Sequence, residues 1–160
     1  MKVITNWLQG ITRVGLFIGG IFLLTGTLLL ISNIFGRAFH FVIPGSIEMF
    51  ELFMAVPVAF GLVYAGLKKG HVIVNLVISR FPPKLAAAAE VFSSVVNFAI
   101  WALIAWASGR LAFENGLKEF SETLELPYLP FRLVWTFCLF LFCVVYVLDF
   151  TQALRRYLDR

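Results

Sequence analysis

The chain has 160 residues, of which 61% are hydrophobic and only 14% are charged, and its mean hydropathy is +0.92. A soluble domain carries roughly a quarter charged residues, so this composition excludes a single water-facing globular domain and indicates that lipid covers much of the surface. The net charge is +4, but the basic residues lie between long apolar runs rather than along one face, which argues against nucleic acid as a partner.

Four apolar runs are each long enough to cross ~30 Å of hydrocarbon as a helix of about 20 residues. We predict spans from Val14 to Phe35, from Ile47 to Leu67, from Leu85 to Ala107 and from Tyr128 to Leu148. The first run is too long for the apolar part of a cleaved signal peptide, so it predicts a retained helix. Pro57 lies inside the second span and is expected to kink it. The predicted fold class is an all-α membrane protein, with residues 1–160 in one membrane domain.

Lys and Arg outside these spans predict the orientation in the membrane. One side holds nine of them: Lys2, Arg13, Lys68, Lys69, Arg80, Lys84, Arg155, Arg156 and Arg160. The other side holds three, Arg37, Arg110 and Lys118, while Arg132 lies just inside the fourth span. We therefore expect the N-terminus, the middle loop and the C-terminus to be cytoplasmic. In the middle loop, polar residues recur at helical spacing (Lys68, His71, Asn75 and Ser79), which predicts a short amphipathic helix at the cytoplasmic interface.

Polar residues at the external ends of the first two spans are candidate site residues. Arg37 closes the first span, and Glu48 and Glu51 share one face at the start of the second. Ionisable groups cost roughly 2.5–3.5 kcal/mol at the bilayer centre on insertion scales, and less near the ends, so each needs a partner or water. An ion pair or a partner-protein contact, plain interfacial exposure, and ion coupling are the alternatives. Asn33, near the end of the first span, can hydrogen-bond to a neighbouring helix.

The third loop is acidic, with Glu114, Glu119, Glu122 and Glu125. Arg132, at the entrance of the fourth span, can extend outward to water or meet these glutamates. Gly15 and Gly19 form a small-residue face on the first helix that permits close helix packing.

Residue combinations that carry catalysis or bind cofactors are missing from the sequence. It contains no Ser/His/Asp set, no metal-ligand cluster and no phosphate-binding glycine loop. His40 and His71 fall on opposite sides of the membrane, which argues against a haem-binding redox anchor. We therefore predict a non-enzyme without a cofactor.

Several short segments together resemble the small membrane subunit of tripartite ATP-independent periplasmic (TRAP) transporters, the DctQ-like family. They are SNIFGR at the end of the first span, SIEMFE at the start of the second, GLKKGHVIVNLV after the second and TLELPYLP before the fourth. Within the third segment His71 matches the family pattern, whereas Asn75 stands where Asp is usual. The departure at Asn75 argues against a role that needs a negative charge and leaves a hydrogen-bonding role intact.

The resemblance implies a scaffold subunit of a secondary, sodium-driven importer of organic anions in the bacterial inner membrane. The implied partners are a large membrane subunit of the M type, which holds the sodium and substrate sites, and a periplasmic binding protein. The small subunit would brace the large one. The candidates for contacts between helices or with the large subunit are Asn33, Arg37, Glu48, Glu51, His71 and Asn75. Glu119, Glu122 and Glu125 would help to dock the binding protein. The alternative is a stand-alone, proton-coupled exporter that acts as a homodimer and uses Glu48 or Glu51.

Overall fold

Four α-helices make up most of the protein. The computed structural model describes residues 2–68, 83–115 and 118–158. Its helices are α1 (Lys2–Ala38), α2 (Ser46–Leu67), α3 (Pro83–Asn115) and α4 (Leu129–Leu158). All four are long and apolar enough to cross a membrane, which confirms the predicted all-α fold with four helices of membrane-spanning length. The predicted interfacial helix, with His71 and Asn75, lies outside the described residues.

Three of the helices extend beyond the predicted spans. α1 begins at Lys2, α3 continues to Asn115 and α4 continues to Leu158. Hydropathy marks only the part of a helix that lies in hydrocarbon, whereas the hydrogen-bonded backbone continues into water where local residues favour it. α2 agrees with its predicted span to within a residue and is continuous through Pro57.

The helices lie in the order α1, α2, α4, α3. Extensive contacts join α1 to α2, α2 to α4, and α4 to α3, and no other pair among the described residues makes a contact of comparable extent. Each hairpin in the sequence is therefore a hairpin in space, and the α2–α4 contact joins the two. The outer helices α1 and α3 each pack along one neighbour.

Glycines on α1 set its close contact with α2. Gly19 lies so near Pro57 that a Cβ added to it would be 2.8 Å from the Pro57 Cα. A Cβ at Gly15 would overlap the Phe60 ring. In a bilayer the apolar solvent gives little reason for helices to associate, so stability depends on close van der Waals packing of this kind. The small-residue face predicted at Gly15 and Gly19 is confirmed as a packing surface.

The α2–α4 contact contains several of the most deeply buried side chains among the described residues. Val63 is fully buried, and the Phe142 ring occupies the space that a side chain at Gly66 would fill. Phe142 also meets Trp101 of α3 and Tyr146 edge to face, with ring centroids 4.8 Å and 4.9 Å apart. Such aromatic pairs each contribute ~0.5–1.5 kcal/mol beyond the area that they bury. Phe142 therefore links three helices.

Large apolar side chains on the outer helices face away from the protein. Phe17 on α1 is 73% exposed, and Phe92, Trp106 and Phe113 on α3 are 71%, 68% and 84% exposed. Exposed apolar area of this extent is typical of a surface that contacts lipid or a partner within the membrane rather than water.

Adjacent glycines on α1 provide a matched test of this packing. We expect Gly19→Ala to lower the free energy of unfolding by about 1–3 kcal/mol, because the new methyl group meets the Pro57 backbone and forces α1 away from α2. Gly20→Ala is the control, since nothing lies within 4 Å of its Cβ position, and its better helix propensity should leave stability unchanged or raised. Unfolding in mixed micelles measures both; equal destabilisation by the two substitutions would contradict the proposed contact.

Candidate functional site

Residues 118–128, here called the cap loop, fold over one end of the helices. Inside the loop, the Ser121 N–H donates to the Leu126 carbonyl at 2.9 Å, and the Glu125 N–H donates to the Ser121 carbonyl at 3.1 Å. Phe120 and Pro127 form an isolated antiparallel bridge. Ser121 is buried at 2% exposure. These bonds give the loop an ordered backbone without a regular element.

Glu48, in the first turn of α2, binds the cap loop directly. The Ser121 hydroxyl donates to Glu48 Oε2. The N–H and the hydroxyl of Thr123 both donate to Glu48 Oε1, at 3.1 Å and 2.9 Å. A carboxylate in the first turn also complements the positive end of the helix dipole. We call Glu48, Ser121 and Thr123 the clasp.

Gly45 allows the cap loop to approach α2 closely. It is the N-cap residue of α2 and has a φ of 72°, in the left-handed region that favours glycine. A Cβ at this position would overlap the Leu124 side chain. The missing side chain thus lets Leu124 pack over the helix start beside the clasp.

Arg132 holds the other side of the cap loop to α4. Its Nη2 forms an ion pair with Glu119 Oε2, and its guanidinium carbon lies 5.8 Å from the Tyr128 ring centroid. Arg132 Nη1 is buried and makes no hydrogen bond to any described residue. The two side chains of the pair are 25% and 39% exposed, so water weakens the pair only partly. Of the two alternatives that the sequence left open for Arg132, the contact with the acidic loop is the one that forms.

Asn33 stabilises the short connection between α1 and α2. Its Oδ1 accepts a hydrogen bond of 3.0 Å from the Ile43 N–H, and the residue is buried. Its bond is therefore to the adjacent connection rather than to a neighbouring helix. His40, in the same connection, has a φ of 60°, and the Phe41 N–H donates to the Gly36 carbonyl at 2.9 Å.

Other candidate residues remain at the surface. Arg37 and Glu51 are exposed, and the described part of the chain contains no ion pair between Arg37 and either Glu48 or Glu51. Glu122 and Glu125 are also exposed and form no ion pair with a described residue. Among the described residues, the acidic candidates thus divide into two with partners, Glu48 and Glu119, and three exposed ones without an ion pair, Glu51, Glu122 and Glu125.

Exposed aromatic side chains surround the cap loop at this end of the helices. Among the described residues no group of three or more His, Cys, Asp or Glu side chains could hold a metal ion. Phe39, Phe41 and Phe120 are 82%, 68% and 52% exposed around the same end, and exposed aromatic residues are enriched at interfaces. Sequence reasoning did not identify Ser121 or Thr123, because small residues 73 and 75 positions from Glu48 give no local signal. It also missed Gly45, whose need for a missing side chain depends on the distant Leu124.

The family model described as "Tripartite ATP-independent periplasmic transporters, DctQ component" matches residues 26–156. The match extends from the second half of α1 almost to the end of α4 and includes the clasp and the cap loop. No curated protein and no solved structure matches the chain.

At this end of the helices, we expect loss of Arg132 to destabilise the protein more than loss of Arg110. Arg132→Met breaks the half-buried pair with Glu119 and should lower the free energy of unfolding by about 1–2 kcal/mol, between the values for exposed and buried pairs. Arg110→Met is the control, because its pair with Glu114 has side chains 63% and 56% exposed and should contribute less than ~0.5 kcal/mol. Unfolding of both variants in mixed micelles makes the comparison, and a larger loss at Arg110 would contradict the assignment of Arg132 as the anchor.

Proposed function

The chain belongs to the DctQ family of components of tripartite ATP-independent periplasmic (TRAP) transporters, and from this we propose that it is the scaffold subunit of a binding-protein-dependent secondary transporter. It is a multi-pass membrane protein, which we place in the bacterial inner membrane. The proposed partners are a large membrane subunit and a periplasmic binding protein. For the whole assembly we propose sodium-driven import of organic anions, with the sodium sites in the large subunit.

The observation that carries the scaffold role is the absence of charge from the middle of every span. Asp, Glu, Lys, Arg and His are absent from residues 14–36, 52–67, 91–109 and 133–148. Transporters place substrate and coupling-ion sites near the bilayer midplane, where ionisable residues are costly and usually functional. A chain whose charges are confined to helix ends suits a static partner that leaves transport to another subunit.

Bracing of the large subunit is assigned to the outer surfaces of the helices. The exposed apolar faces of α1 and α3 offer the area for packing. Arg37 and Glu51, exposed near the same end of the helices as the cap loop, are the proposed polar contacts there. His71 and Asn75 are proposed contacts in the middle loop. Asn33 and Glu48 act within the chain and support these contacts indirectly.

Docking of the binding protein is assigned to the cap loop. The excess of Lys and Arg in the N-terminus, the middle loop and the C-terminus supports an orientation with those parts in the cytoplasm, and the cap loop then faces the periplasm. Glu122 and Glu125 are the exposed charges that a basic patch on the binding protein would meet. Glu119 contributes by holding the loop through Arg132.

Co-purification tests the subunit assignment. When the tagged chain is expressed with its large membrane subunit, we expect a stable one-to-one complex in mild detergent, measured by size exclusion and mass photometry. With the binding protein and an inward sodium gradient, the reconstituted complex should import an organic anion, whereas the chain alone should not. A stable homo-oligomer that does not bind the large subunit would support the stand-alone exporter instead.

Charge substitution in the cap loop tests docking. The double variant Glu122→Lys/Glu125→Lys should weaken docking of the binding protein several-fold at low salt and less at high salt, because exposed interfacial charges act mainly on association and are screened. The neutral double variant Glu122→Gln/Glu125→Gln is the control and should give a smaller loss. Docking is measured as the affinity of the binding protein for transporter in surface-immobilised nanodiscs. Charge reversal without effect at any salt concentration would show that the loop is not part of the docking surface.

A further inference from the structure

Glu48 and Glu51 have the same side chain and lie one turn apart on α2, yet their surroundings differ. Glu48 accepts hydrogen bonds from Ser121 and from both the N–H and the hydroxyl of Thr123. Glu51 is exposed and belongs to no ion pair among the described residues. The contrast indicates that position on the helix, rather than the carboxylate itself, gives Glu48 its role.

The partners of Glu48 are uncharged donors. Arg132, the arginine bound to the cap loop, pairs with Glu119, and Arg37 pairs with neither Glu48 nor Glu51 within the described ranges. What the clasp uses is therefore the acceptor geometry of two oxygens on one rigid helix. The two oxygens bind two loop residues, Ser121 and Thr123, which lie on either side of the exposed Glu122 in the sequence.

The cap loop is fixed at two further points. Leu124 packs over Gly45 at the start of α2, and Glu119 binds Arg132 at the start of α4. With the clasp these contacts attach the loop to both hairpins. A loop held in this way loses little conformational entropy when a partner binds it, whereas a free loop would lose it at docking.

We propose that Glu48 is a positioning residue that fixes the cap loop on α2, so that Glu122 and Glu125 meet the binding protein in a preformed arrangement. The docking part of this role rests on the proposed function of the cap loop. Glu48 acts through hydrogen bonds and contributes neither a docking charge nor a transported proton.

Replacing Glu48 with glutamine removes the negative charge but keeps a hydrogen-bond acceptor at the same position. Glu48→Gln keeps the Oε1 acceptor for Thr123, and the Ser121 hydroxyl can rotate to accept from the new amide. Glu48→Ala removes every acceptor. A positioning role predicts that Gln rescues function, whereas a role in charge or proton transfer predicts that Gln fails as completely as Ala.

The first readout needs no partner: amide exchange of the full chain in nanodiscs. The N–H groups of Ser121 and Glu125 are the reporters, because their bonds lie inside the loop and do not involve Glu48. We expect Glu48→Ala to raise their exchange at least about tenfold, as loss of three hydrogen bonds implies, and Glu48→Gln to raise it less than about threefold. Glu51→Ala, the matched control, should leave it unchanged. Unchanged exchange in Glu48→Ala would overturn the clasp.

The second readout is docking of the binding protein to the complete transporter, with assembly checked by size exclusion. Glu48→Ala should weaken docking by about the factor found for loop opening, and Glu48→Gln should stay near the unmodified protein. Ser121→Ala, which removes one bond from the loop side, should give a smaller loss and serves as a second variant if Glu48→Ala does not assemble.

Two further outcomes would overturn the proposal, and both are distinguishable from failure of the proposed function. Equal losses in Glu48→Gln and Glu48→Ala would assign Glu48 a charge role. A loosened loop with unchanged docking would leave the clasp in place but separate it from docking. Failure of the docking assignment itself is seen independently, in the Glu122 and Glu125 variants, and failure of the subunit assignment in co-purification.

Discussion

The contact of α2 with both α1 and α4 is the interaction on which the rest of the structure depends. Gly19 of α1 lies against Pro57 on one side of α2, and Phe142 of α4 fills the space beside Gly66 on another. Lipid tails solvate apolar side chains as well as a protein interior does, so helices stay together through close packing rather than through exclusion from water. Glycine provides that closeness on both sides of α2. The position of α2 then determines where its first turn, with Glu48, meets the cap loop.

Polar contacts at the cap-loop end of the helices join the two hairpins in addition to the packing of α2 against α4. The clasp joins α2 to the loop before α4, and Arg132 joins that loop to α4 itself. Both contacts lie at the ends of spans, where water and headgroups reduce the cost of charge. Two hairpins that meet through one helix pair are thereby also joined outside the hydrocarbon. Two separate attachments of different physical kind suit the proposed scaffold role.

Charge placement connects this architecture with the proposed function. The span centres contain no Asp, Glu, Lys, Arg or His, and the outer faces of α1 and α3 expose apolar area. The two exposed glutamates of the cap loop lie on a surface that the clasp holds in place. Each feature suits a subunit that positions other proteins rather than one that transports alone.

The sequence by itself determined the four spans, because a helix that crosses hydrocarbon must be apolar over ~20 residues and hydropathy measures this directly. It also determined the family resemblance and the small-residue face of α1, since both depend on residues close together in the chain. The partner of Glu48 was decided only by the tertiary structure. Arg37, a charged neighbour in sequence, was one of several candidate partners, but Ser121 and Thr123 lie far along the chain and carry no charge that would signal a pair. The role of Gly45 was hidden for the same reason: the need for a missing side chain arises only when Leu124 is brought over the helix start by the packing of α2 against α4.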